Sequence, residues 1–216
     1  MVAYSENRTP GSARRAIGSP VQRGFTLFEA MVVVLIVSVL MAIAAPGFQE
    51  LIGNNRMISE VYALRATLNH ARTEAMARRA PVVVCPTADP TADGATCADS
   101  DEWSTGYLVF VDTDDNNAAD PNDPDEEVIQ RQTVARSVDI AFDNADRRVR
   151  FGAEGIALGF EGTFTFCDER AVDNAEKARA LILNPVGSLR AATDTDSPED
   201  LDLIVNDADD TNVTCN

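Results

Sequence analysis

A run of 21 residues, Phe25 to Ala45, carries a single charged side chain, Glu29. No other stretch restricts so strongly what this chain can become. As a helix rising about 1.5 Å per residue it reaches roughly 30 Å, the thickness of a bilayer's hydrocarbon core. Ahead of it stand Arg8, Arg14, Arg15 and Arg23 against one acid, Glu6. Basic residues before a span keep that end in the cytoplasm, so the body of the chain belongs on the far side. That body is acidic enough to bring the whole 216-residue chain to a net charge of -17. Such a surface repels phosphate backbones, which disfavours nucleic acid as a partner.

A secretory signal peptide would have a shorter apolar region and a well-formed small-residue cleavage site. This run is longer and ends at Ala44-Ala45-Pro46. A plain signal anchor would have no use for Glu29, since a carboxylate inside lipid is costly and is by default a functional residue. Gly24-Phe25-Thr26-Leu27-Phe28-Glu29 followed by the apolar run resembles the class III signal of type IV pilins and type II secretion pseudopilins. The resemblance implies that a prepilin peptidase cuts between Gly24 and Phe25 and N-methylates Phe25. Residues 1–24 would then be a leader and 25–45 the retained transmembrane helix that packs in a filament core. Glu29 would pair with the terminal amine of a neighbouring subunit, because a carboxylate in lipid gains most from a cation.

The apolar spacing continues beyond the membrane through Leu51, Ile58, Val61, Leu68, Ala71 and Ala75, with Arg56, Glu60, Arg65, Arg72 and Arg78 between them. This predicts an amphipathic helix over 46–80 with a solvated charged face, stopped by Pro81. Pro46 lacks a backbone donor and is expected to kink it, and Gly53-Asn54-Asn55 is a second weak point. The lone histidine, His70, is expected on the helix surface.

After Pro81 the chain turns to short β-type runs: Val82–Cys85, Gly106–Val111, Glu127–Gln132, Val138–Phe142, Thr163–Cys167, Arg179–Leu183 and Leu201–Val205. Their spacing and intervening Gly, Asp and Asn predict antiparallel meanders rather than βαβ units. The fold class is therefore α+β, a long N-terminal helix packed on an antiparallel β-sheet domain over 81–216. Trp103-Ser104-Thr105-Gly106-Tyr107-Leu108-Val109-Phe110-Val111-Asp112 resembles a segment of the GspH/FimT pseudopilin domain. Gly155, then Gly162 to Asp168, Ala178 to Leu183 and Gly187-Ser188-Leu189-Arg190 follow in that family's order. The resemblance, FimT/FimU-like in length and loops, covers residues 24–215 and implies the type IV pilin-like fold for them.

Cys85, Cys97, Cys167 and Cys215 all fall in the part placed outside the cytoplasm, where disulfides persist. Four cysteines allow three connectivities. Cys85–Cys97, closing a local loop, and Cys167–Cys215, tying the tail to a core strand, are favoured. Zinc is disfavoured because no C-x₂-C spacing exists. Asp112-x-Asp114-x-Asn116 resembles the opening of a calcium loop, but Asn117 stands where an EF-hand needs Gly and no Glu falls at the twelfth position. The expectation is a solvated acidic hairpin with no cofactor, calcium being the lesser reading.

Catalysis finds no support: G-x-S-x-G, P-loop and H-E-x-x-H patterns are missing, and one histidine is little for acid–base work. The resemblance implies a minor pilin or pseudopilin whose partners are other pilins, the prepilin peptidase and the inner-membrane assembly machinery. It would reside in the inner membrane with a periplasmic domain, then in a surface pilus or periplasmic pseudopilus. Two alternatives stand beside the pilus: a type II secretion minor pseudopilin, and a DNA-capturing minor pilin. The latter would use a basic G-R-x-R strand, of which Gly187-Ser188-Leu189-Arg190 keeps one arginine. Arg147, Arg148 and Arg150 form the only dense basic cluster, expected as a solvated strand edge.

Overall fold

The computed structural model describes residues 25–100, 103–168 and 178–192 together with Cys215, apart from the side chains of residues 45–47, 49 and 50. The expected leader over 1–24, including Gly24, and the expected strand Leu201–Val205 lie outside the described residues. The chain divides into two compact units, Met1–Ala45 and Pro46–Asn216.

Helix α1 is assigned without interruption over Leu27–Arg78. The Pro46 side chain, on which the expected kink depends, is among those not described. In the second unit the buried large or apolar helix positions are Met57, Leu64, Leu68, Ala71 and Ala75, joined by the buried Gly53 and Thr67, with Val61 partly buried. Steps of three and four residues place these on one stripe. Leu51 and Ile58 do not join it: Leu51 is 55% exposed and Ile58 only half-buried. The sequence reading placed this stretch of the stripe one position off, because Met57 and Ile58 are both apolar and only the sheets decide which one is covered. Past Arg78 the helix ends as Arg79 takes a left-handed φ of 55° before Pro81.

Eight strands follow: β1 Val82–Pro86, β2 Gly106–Val111, β3 Val128–Thr133, β4 Val138–Phe142, β5 Val149–Phe151, β6 Gly162–Asp168, β7 Arg179–Leu183 and β8 Leu189–Ala191. They form two antiparallel four-stranded sheets, ordered β3-β2-β1-β5 and β4-β6-β7-β8, rather than one. Strand β5, at the strand edge expected around Arg147–Arg150 but with no range of its own in the sequence pattern, has only three residues and pairs with β1 through Val82↔Phe151 and Val84↔Val149. A strand that short has too little period to be read without its partner.

The main core lies where the helix stripe meets both sheets. It includes Val82 and Val84, Tyr107 and Val109, Ile140 and Phe142, Phe164 and Phe166, and Leu181 and Leu183. Trp103, fully buried, sets its ring edge-on to Phe164 at 4.9 Å and to Phe142 at 5.9 Å. Phe142 and Phe164, directly opposite each other in the β4–β6 ladder, stack at 4.1 Å. The uninterrupted apolar runs of β1 and β2 have a second cause. Their alternate residues Val83, Cys85, Leu108 and Phe110 face a separate core with Ala95 and Ala119, supplied by the loops after β1 and β2. Both faces of this sheet are covered, so the strands cannot alternate apolar with polar.

Cys85 is joined to Cys97, and Cys167 to Cys215, in the pairing favoured from the sequence. The first fastens the loop after β1 over that second core. The second brings Cys215 against Ala178, Ala180 and Ala192 on the outer face of β7.

Candidate functional site

The N-terminal turn of α1 is built as its sequence dictates. Thr26 precedes the helix, and its Oγ1 accepts the Glu29 N–H at 3.2 Å, the spacing of a capping box. This leaves Glu29 exposed in the first helical turn, where the helix's positive end favours a carboxylate. Phe25 is 85% exposed. The segment Leu27–Ala44 has a mean hydropathy of 2.7 and none of it is buried. Leu35, Leu40, Met41 and Ile43 stand as open as Phe28 and Val34. A helix apolar on every side requires lipid or other helices around it.

Several charges assigned to a solvated helix face instead join the helix to the sheets. Arg72 donates from Nη1 to the Gly187 carbonyl and from Nη2 to the Val186 carbonyl, each at 3.0 Å. Glu60 Oε1 accepts the Ala135 N–H at 3.1 Å; burial pushes its carboxyl above the usual range, and that hydrogen bond pulls it partly back. Arg78 bridges Glu74 and Glu127 at 2.7 and 2.6 Å. His70 is exposed, 3.6 Å from Glu74, as expected of a helix-surface residue.

The acidic loop between β2 and β3 departs from the solvated hairpin expected of it. Asp112 is fully buried and Glu126 only 8% exposed. Asp112 Oδ1 accepts the N–H groups of Asn116 at 3.1 Å and Asn117 at 3.4 Å, while Oδ2 meets Arg150 Nε at 3.3 Å. Asn116 spends its side chain locally, Nδ2 donating to Asp114 at 2.7 Å and Oδ1 accepting the Ala118 N–H at 2.6 Å. Of the ligand trio expected from spacing, Asp112, Asp114 and Asn116, the two carboxylates stand beside that of Glu126. One carboxylate oxygen each from Asp112, Asp114 and Glu126 lies within 4.8 Å of the other two. By sequence Glu126 is one of many acids in the loop, and only its burial distinguishes it.

The basic trio is engaged by the same loop and its neighbours. Arg147 donates to the Asp99 carbonyl at 2.7 Å, Arg148 to the Asn117 carbonyl, and Arg150 pairs with Asp112 and Asp115. Arg148 and Arg150 are half-buried, so a solvated edge describes Arg147 alone. Arg190, on β8, is exposed.

A family model described as Type II transport protein GspH matches residues 60–187. The chain belongs to the GspH family. A model of the prokaryotic N-terminal methylation motif matches residues 20–45 of this GspH-family chain. A crystal structure of the type IV minor pilin FimU from Pseudomonas aeruginosa is similar at 20% identity and a TM-score of 0.48, over 67% of this chain and 94% of that one. A second crystal form of FimU matches at 20% identity and 0.45, over 65% and 96%. No curated protein matches significantly. As a GspH-family member with the methylation motif, the chain is a minor pilin or pseudopilin, a structural subunit with an N-terminal apolar helix and a globular domain.

Proposed function

We propose that this subunit enters a type IV pilus as a minor pilin that initiates or tips the filament. The prepilin peptidase cuts between Gly24 and Phe25 and N-methylates Phe25, and the inner-membrane assembly machinery then extracts the helix into the filament. The observation that carries this reading is the segment Leu27–Ala44, apolar and exposed on all sides, with Glu29 as its one charge. In lipid that carboxylate is costly, and the Phe25 amine of a neighbouring subunit neutralises it, which turns membrane insertion into a drive toward assembly. The globular domain, carrying two disulfides, faces an oxidising compartment.

Replacing Glu29 with Val is expected to leave cleavage and methylation intact while abolishing filament incorporation. Mass spectrometry of the N-terminus reads the first, and immunoblotting of sheared filaments the second. Normal incorporation of the Val variant would sink the role given to Glu29.

A second reading, the type II secretion pseudopilus, is favoured by the description of the family model itself. Deleting the gene separates the two: loss of surface pili supports the first, loss of exoprotein release the second. A DNA-capturing role is disfavoured, because the only dense basic cluster is already bound to Asp99, Asn117, Asp112 and Asp115. Phosphate would have to displace those partners against the net charge of the chain.

A further inference from the structure

Glu126 is nine-tenths buried, yet half of its carboxylate is unanswered. Its Oε2 accepts the Asp120 N–H at 2.8 Å, while Oε1 is buried with no hydrogen-bond partner. Glu126 forms no ion pair among the described residues, and the nearby Arg150 is taken up by Asp112 and Asp115. A buried carboxylate oxygen without a donor or cation carries a heavy desolvation penalty. The carboxylates of Asp114, Asp112 and Asp123 act on it electrostatically from the same loop. The loop thus concentrates negative charge around an oxygen that has no partner.

The spacing suits a particular class of ion. Oxygens of Asp112, Asp114 and Glu126 lie within 4.8 Å of one another. Calcium, held at about 2.3–2.6 Å in a flexible geometry, tolerates an irregular set of oxygens, whereas magnesium at about 2.0–2.1 Å demands a near-ideal octahedron. Carboxylate oxygens are also the hard ligands that calcium selects, and each of the three carboxylates retains at least one lone pair beyond its hydrogen bonds.

We infer that Asp112, Asp114 and Glu126 bind a calcium ion that fastens the two ends of the β2–β3 loop together. Asp112 directly follows β2 and Glu126 stands two residues before β3, so one ion closes the loop at its base. Water completes the coordination on the exposed Asp114 side. The same loop supplies Ala119 to the core behind β1 and β2. Calcium therefore stabilises the cover over that face, in a pilus subunit and a secretion subunit alike.

The test uses the full chain in detergent micelles after removal of metal by a chelator, titrated separately with calcium and magnesium chloride. Calorimetry is expected to give one calcium per chain with a submillimolar Kd, and saturation to raise the Tm by about 3 °C or more. Glu126→Gln and Asp114→Asn should each weaken calcium at least tenfold. Asp125→Asn, outside the trio, should bind as the unaltered chain does. Asp114 is exposed, so its variant reads binding without disturbing the fold. Lack of binding up to about 10 mM calcium would overturn the site. So would equal losses in all three variants, which mark a diffuse acidic surface. A third contrary result is a Glu126→Gln chain that is more stable without metal while calcium shifts neither protein; Glu126 is then a buried neutral acid.

Discussion

Gly187 and Gly159 hold nearly the same left-handed backbone, with φ of 76° and 83°, but differ in what surrounds them. A Cβ on Gly159 would meet nothing within 4 Å, whereas one on Gly187 would stand 2.3 Å from the Gly155 carbonyl oxygen and 3.2 Å from Arg72 Nε. Replacing each with Ala separates backbone conformation from crowding. An L-residue in this region costs about 1–2 kcal/mol, and the smaller unfolded-state entropy of Ala returns about 0.4–1 kcal/mol. Gly159→Ala should therefore cost about 1 kcal/mol. Gly187→Ala adds the separation of two backbone segments by roughly 1 Å, an overpacking cost of about 1–3 kcal/mol. That shift also loosens the two Arg72 hydrogen bonds to Val186 and Gly187, which tie this turn to the helix. Charged hydrogen bonds contribute about 1.5–3 kcal/mol, so the total for Gly187→Ala comes to about 4 kcal/mol. At about 2–4 °C per kcal/mol, thermal unfolding should drop by about 2–4 °C for Gly159→Ala and about 8–16 °C for Gly187→Ala. Equal losses in the two variants would refute the contribution of crowding, and with it the docking of the β7–β8 turn on the Gly155 loop.

Two further outcomes follow from the helix. Leu68→Ala, at a fully buried position of the stripe, should cost about 2–5 kcal/mol in denaturant unfolding, whereas Leu51→Ala should change the monomer's stability by under about 0.5 kcal/mol. A comparable loss at Leu51 would contradict the observed stripe. Glu60 has a folded-state pKa above its ordinary value of 4.5, because burial outweighs the Ala135 hydrogen bond. The folded chain thus holds this proton more tightly than the unfolded chain, and the ionised group at neutral pH opposes folding. Glu60→Gln keeps the carbonyl acceptor and loses the charge. It should be more stable than the unaltered chain at pH 7, with the gap closing as pH falls toward and below 4.5. A gap of opposite sign, or one unchanged at low pH, would reject this account.

Much of the fold was legible because it rests on local pattern. The strands Gly106–Val111, Val138–Phe142 and Arg179–Leu183 stand where their β-branched and aromatic runs put them. The helix ends near Pro81 because that residue lacks an N–H donor and disfavours helical backbone in Ala80 before it. What could not be read were choices between chemically similar neighbours. Met57 and Ile58 are both large and apolar, and the sheets cover Met57. Arg72 and Arg65 are alike in sequence, and only Arg72 meets the carbonyls of the β7–β8 turn. Asn116 and Glu126 were both oxygen donors in an acidic loop; the fold turned Asn116 back on its own turn and buried Glu126.

The sequence by itself determined the class of molecule and the apolar helix at its start. Leu27 to Ala44 is long and apolar enough to cross a membrane, a property of composition alone. The methylation motif and the order of the β segments are likewise properties of the linear chain. Only the tertiary structure decided that the strands split into two sheets and that β1 and β2 are covered on both faces. It also decided which carboxylates of the acidic loop leave water. The physical reason is that burial is a property of neighbours distant in sequence. The energy of a charge such as Glu126 depends on which of them arrive, and its identity in the chain is silent about that.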